Sequence, residues 1–155
     1  MKTILRMALV VLMALPLAAQ AQQSNYFTDK NNVAINGYDV VSYFTQYEAQ
    51  KGSAQHTARH DGVTFHFTSA DNQALFVANP EKYLPAYGGY CAFAVAAKGA
   101  KVPTNPETFK IYNGKLLLFF NDLYEGKPFN TIVPWNNDEA NLAKAADQQW
   151  SSLND

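Results

Sequence analysis

His56-Thr57-Ala58-Arg59-His60-Asp61-Gly62-Val63-Thr64-Phe65-His66-Phe67-Thr68 is the stretch on which the fold turns. Two short runs, 56–60 and 63–68, flank Asp61-Gly62, a dipeptide suited to a two-residue type I′ turn, so the stretch predicts an antiparallel hairpin. Working outward, Ser69 caps a helix that carries Leu75 and Phe76 and stops before Pro80. A second hairpin is expected further on, with 108–112 and 115–120 about Asn113-Gly114, the strongest short turn signal. Between the hairpins, Tyr87-Gly88-Gly89-Tyr90 reads as a glycine-permitted turn, and the alanine-rich 91–97 as a helix ending near Gly99. Residues 126–134 read as a connection. A last helix starts near Asn137 or Asp138, with Leu142, Ala146 and Trp150 as its apolar stripe. Toward the N-terminus, 33–35 reads as a short strand, and 39–43 as a short helix or strand. Two hairpins interleaved with short helices predict one α+β domain packed around an aromatic core, spanning 35–155, with 22–34 a loose leading segment.

The first 21 residues read as a cleavable export signal. Lys2 and Arg6 precede an apolar run from Met7 to Leu15, Pro16 ends it, and Ala19-Gln20-Ala21 is a small-x-small cleavage site. The run is too short, and too soon broken by proline, for a membrane-spanning helix, which needs about 20 apolar residues. A periplasmic or secreted location with no stable membrane anchor after cleavage is therefore expected. Cleavage after Ala21 would remove two positive charges from a chain whose net charge is −1. Lys and Arg form no cluster, so neither nucleic acid nor an anionic membrane is expected as a partner. With a single cysteine, Cys91, an internal disulfide is impossible.

Cys91 is therefore a buried inert thiol, a reactive thiol, a metal ligand, or a link to another chain. It follows two glycines and stands at or next to the start of a predicted helix. There unpaired backbone N–H groups favour the thiolate, the nucleophilic and metal-binding form. The opposite reading packs it among Tyr87, Tyr90 and Phe93 as a small hydrophobe. Tyr83, Tyr87 and Tyr90, with Gly88 and Gly89, are expected to line any small pocket beside it. His56, His60 and His66 resemble a three-nitrogen metal set, but the hairpin register separates them. His60 pairs with Val63 and His56 with Phe67 on one face, while His66 pairs with Thr57 on the other. His56 and His60 would lie about 13 Å apart along an extended strand. Only His60, on the face of Val63 and Phe65, is expected near the core rim, where it is the histidine to pair with Cys91. The carboxylates read as solvated: Asp122 and Glu125 as loop charges, Glu81 and Asp138 as helix-start charges. No Ser-His-Asp order, phosphate loop or nucleotide fingerprint is present.

From Ile35 to Trp150 the chain resembles the exported proteins built on a YHS domain. Gly37-Tyr38-Asp39 before Tyr43-Phe44, Gly62-Val63 leading into Phe67-Thr68-Ser69, and 76–83 (Phe-Val-Ala-Asn-Pro-Glu-Lys-Tyr) carry the resemblance, with Tyr87-Gly88-Gly89-Tyr90-Cys91-Ala92 its most specific part. Gly114-Lys115-Leu116 and Asp147-Gln148-Gln149-Trp150 complete it. The resemblance implies a small module, some of whose relatives are attached to copper-transporting ATPases. Others carry selenocysteine where Cys91 stands, which implies redox or metal chemistry at that position. The metal-linked pattern has two cysteines where this chain has Thr68 and, nearby, Asp71, so that branch's soft-metal site is not supported.

Three functional readings follow. The first is a redox or soft-metal (copper-like) binding module centred on Cys91, with His60 as a second ligand and an envelope protein or a second copy of the chain, joined through Cys91, completing the site. The second is a one-cysteine thiol reductase or peroxidase enzyme. The third is a structural or protein-interaction domain with an inert Cys91.

Overall fold

The computed structural model describes residues 25–154, so the stretch read as an export signal lies outside the described residues. The fold is α+β. In chain order it runs α1 (Ser42–Thr45), β1 (Ser53–His60), β2 (Val63–Phe67), α2 (Ala70–Ala78), α3 (Pro80–Tyr83), α4 (Ala92–Lys98), β3 (Asn105–Tyr112), β4 (Lys115–Phe119), β5 (Asn121–Tyr124), β6 (Lys127–Asn130), α5 (Ile132–Asn137) and α6 (Glu139–Leu153). Short 3-10 turns, Ile35–Gly37 and Ala86–Gly89, precede α1 and α4.

The strands form three two-stranded antiparallel sheets. In the first, Asp61 and Gly62 both take the left-handed backbone that a type I′ turn requires (φ 47° and 78°). His60 faces Val63, Ala58 faces Phe65 and Thr57 faces His66, as the turn dictates. The expected pairing of His56 with Phe67 is not found: the register shifts between Ser53 and Thr57, and Ser53 faces Phe67 instead. A bulge of this kind bends the strand and cannot be read from a turn alone. The second sheet forms about Asn113-Gly114 and carries a similar shift between Asn105 and Phe109.

The third hairpin, β5–β6, corrects the reading of 126–134 as a connection; its turn is Glu125-Gly126 (φ 52° and 75°). Every residue of β5 is exposed. The segment therefore lacks the one-sided burial whose alternation marks a strand in sequence. Helix α5 begins within the same stretch, with Pro134 in its first turn, where an N–H has no intrahelical acceptor.

Two cores lie on either side of β4. Leu116 and Leu118 join Tyr43, Phe65, Phe67, Phe76 and Tyr83 in one. Leu117 and Phe119 join Val95, Trp135 and Ala146 in the other. Successive residues of a strand point to opposite faces, so a continuous apolar run fits a strand covered on both sides. The stripe expected on α6 packs as read: Ala146 is fully buried in the second core, and Leu142 and Trp150 pack against it.

The described part of the leading segment is held in place rather than loose. Phe27 N–H donates to Gly88 O (2.8 Å), Ile35 N–H donates to Phe27 O (2.8 Å), and Val33 forms a bridge with Thr64. Further along, Asp39 is fully buried. Its Oδ2 accepts from the Thr68 N–H and hydroxyl (both 2.8 Å) and from Asn72 Nδ2 (2.7 Å), and its Oδ1 from Val41 N–H (2.8 Å). Those bonds tie the segment before α1 to the start of α2.

Candidate functional site

Cys91 immediately precedes α4, and its carbonyl accepts from Val95 N–H (3.0 Å), as a residue at a helix start should. The side chain does not serve the helix. Its sulfur makes no capping hydrogen bond and lies 3.3 Å from the Thr131 hydroxyl. That hydroxyl donates to Phe120 O (2.9 Å), so its single proton is used and the thiol is the donor in the Cys91–Thr131 contact. The Cys91 backbone is pinned as well, by Cys91 N–H to Val102 O (3.0 Å) and a bridge to Leu118 of β4. The residue is 0% exposed. A thiol with no solvent access, facing a hydroxyl rather than a cation, lacks the surroundings of reactive cysteines.

The histidines are not gathered around it. His60 lies 3.4 Å from Asp61 and 3.9 Å from Glu81, with its ring nearly perpendicular to that of Phe76. Among the described residues the Cys91 sulfur has Thr131 as its hydrogen-bond partner and not His60, so the pairing of His60 with Cys91 expected from the hairpin is not seen. Among the described residues, no group of three or more His, Cys, Asp and Glu side chains is placed to hold a metal ion.

The surface instead carries a cleft of about 760 Å³. Its walls come from well-separated segments: Asn25 and Tyr26 at the described start, Asp61 of the first turn, Glu81 of α3, the Tyr87–Gly88 turn, Lys115 of β4, and Asp147 and Trp150 of α6. Of the pocket residues expected beside Cys91, Tyr87 and Gly88 line this cleft; Gly89, Tyr90 and Cys91 do not. Tyr83 is buried in the first core.

Local backbone makes the cleft floor. Tyr87 (φ 54°), Gly88 (φ 61°) and Gly89 (φ 85°) are left-handed in succession. At Gly88 a Cβ would sit 1.7 Å from Asn25 O, so the close approach of the leading segment admits only glycine there. The turn aims the Tyr87 hydroxyl at α6, where it donates to Asp147 Oδ1 (2.9 Å). Lys115 Nζ reaches the same carboxylate oxygen (3.5 Å). On the far side, the Tyr26 hydroxyl donates to Asp61 Oδ2 (3.3 Å). Burial, then the charge of Asp61, pushes the Tyr26 pKa up to about 12. Burial, then the bond to Asp147, raises that of Tyr87 as well. Both phenols therefore stay protonated donors at neutral pH. Trp150 meets the rings of Tyr87 (6.0 Å) and Tyr90 (6.3 Å), and the Lys101 ammonium sits 5.3 Å from its ring.

Apart from Tyr87 and Gly88, none of these residues is singled out for chemistry by sequence. Asp61 reads as a turn residue, Glu81 as a helix-start charge and Trp150 as core stripe, and no local spacing links them. The available signal was indirect: Tyr87, Lys115, Asp147 and Trp150 all fall within segments quoted above for the resemblance. Among the described residues, no helix is long and apolar enough to cross a membrane. Compared with known proteins, the chain matches no family model, no curated protein and no solved structure.

Proposed function

We propose that this chain is a non-enzymatic binding module of the exported, YHS-like kind, that its ligand occupies the cleft, and that Cys91 is a structural thiol. One observation carries the proposal. Segments far apart in sequence deliver Tyr87, Lys115, Asp147 and Trp150 to one concave surface and join them by hydrogen bond, ion pair and ring contact. The cleft has the size of a small-ligand site, with aromatic walls and a few placed polar groups. Export rests on the sequence of Met1 to Ala21. The burial of Cys91 supports the structural thiol over the redox, soft-metal and one-cysteine enzyme readings, each of which needs a reachable sulfur.

Two measurements test this. The folded protein is treated with an aromatic disulfide reagent and, separately, with Cu(I). Cys91 is expected to react only after denaturant is added and to take up no stoichiometric copper. Labelling of the native protein at the rate of a free thiol, or copper uptake lost in Cys91→Ser, would return function to the sulfur. In the second, immobilised protein is exposed to a small-molecule extract of the cells that make it. Retention of a compound by wild type, and its loss in Trp150→Leu, is expected; retention of nothing would remove the ligand site.

A further inference from the structure

We infer that the cleft takes an organic cation, a small amine or quaternary ammonium compound; this names a ligand class for the site proposed above and rests on that reading. Three observations lead there. The first is the cavity itself, about 760 Å³ and walled in part by the rings of Tyr26, Tyr87 and Trp150. The second is charge. Among the described residues, three carboxylates line the cleft, those of Asp61, Glu81 and Asp147, against one ammonium, that of Lys115. Lys115 is paired with Asp147. Among the described residues, no lysine or arginine is paired with Asp61 or Glu81, whose nearby basic group is the His60 imidazole. An anion entering here meets an excess of like charge, whereas a cation meets opposite charge in a concave surface. The third is the aromatic wall. The Lys101 ammonium already lies 5.3 Å from the Trp150 ring and 5.8 Å from that of Tyr90. The same aromatic cluster therefore already meets one ammonium within cation–π range, the interaction by which aromatic sites recognise ammonium ligands.

Two of the three carboxylates are oriented by a hydroxyl. Tyr26 holds Asp61 and Tyr87 holds Asp147, each through its hydroxyl proton. A carboxylate that accepts one such bond keeps lone pairs for a ligand N–H. Asp61 and Glu81 are themselves well exposed, so exchanging their carboxylates for amides should not disturb folding.

The test is titration of the purified protein with 1,5-diaminopentane and with choline, using glucose and citrate as neutral and anionic controls. The indole N–H signal of Trp150 in a two-dimensional NMR spectrum is the readout, and that of the buried Trp135 is the internal reference. A saturable shift of Trp150 by an amine is expected, with Trp135 unmoved. Binding should weaken about three- to tenfold in Asp61→Asn/Glu81→Gln, as the loss of two solvent-exposed charge partners allows. It should weaken again as salt is raised, and be unchanged in Cys91→Ser. Failure of both amines to move Trp150, or a shift produced by glucose or citrate alone, overturns the cation. The extract experiment separates the two failures. A retained neutral or anionic compound removes the cation and leaves the binding module, whereas retention of nothing together with silent titrations removes both.

Discussion

A buried carboxylate is stable only if its lone pairs are filled, and Asp39 meets that condition with four donors from three residues. None of the four is a lysine or arginine, so the group works as a hydrogen-bonded staple rather than an ion pair. Asp39→Ala would leave the N–H of Thr68 and the amide of Asn72 buried without that acceptor. It should lower stability by about 3 kcal/mol or more, read as a shift in the denaturant midpoint. Cys91 follows the same logic at smaller scale, because its thiol ends a chain that runs through Thr131 to the Phe120 carbonyl. Gly37-Tyr38-Asp39 and Phe67-Thr68-Ser69, two of the segments on which the family resemblance rests, thus meet through one side chain. Thr68, where the resemblance read from sequence would put the metal-linked pattern's cysteine, is a donor to Asp39.

At the scale of elements, β4 carries the packing. Four consecutive residues, Leu116 to Phe119, are at most 2% exposed, and they alternate between the two cores. Truncating either face opens a cavity in a different core. Leu118→Ala and Leu117→Ala are each expected to cost about 2–5 kcal/mol by chemical denaturation. Their effects should add to within about 0.5 kcal/mol if the two cores are independent. A marked departure from additivity would show that the strand transmits strain between them. The β5–β6 hairpin is the contrasting element. Its strand β5 is wholly exposed, and it was not legible in sequence because neither strand buries one alternate face.

For the whole molecule, the aromatic content that fills the cores also sets the response to alkali. Burial raises the pKa of Tyr26, Tyr43, Tyr87 and Tyr90 above the ordinary tyrosine value of 10.0. For Tyr26, Tyr43 and Tyr87 the charge or hydrogen bond of an acidic neighbour adds to this. The native state then holds phenolic protons that the unfolded chain releases. The stabilisation is therefore complete below pH 10, where both states are protonated, and is lost as pH rises through the native values, about 12 for Tyr26. Stability should fall steadily above pH 10, and the buried Tyr43 hydroxyl, followed through its own ring signals by NMR, should ionise in step with unfolding rather than before it. The Tyr43→Phe variant should lose part of that slope. Ionisation of Tyr43 near pH 10 while the chain is still folded would contradict the burial of its hydroxyl.

The amino-acid sequence by itself determined what depends on neighbours along the chain. Asp61-Gly62 and Asn113-Gly114 set two hairpins through their left-handed backbone, Ser69 set the start of α2, and the four-residue spacing of Leu142, Ala146 and Trp150 set the buried face of α6. The α+β class followed from these. Tertiary structure decided what depends on residues far apart: the bulge that moved Phe67 from His56 to Ser53, the direction of the Cys91 side chain, and the cleft. At Cys91 the helix start was read correctly, yet a hydroxyl 40 residues downstream, rather than the helix N–H groups, received the sulfur. The cleft is the clearest case. Asp61, Glu81, Lys115 and Trp150 each have a complete local explanation, and only the packing of the first turn, α3, β4 and α6 about the Tyr87 turn makes neighbours of side chains that no spacing along the chain connects.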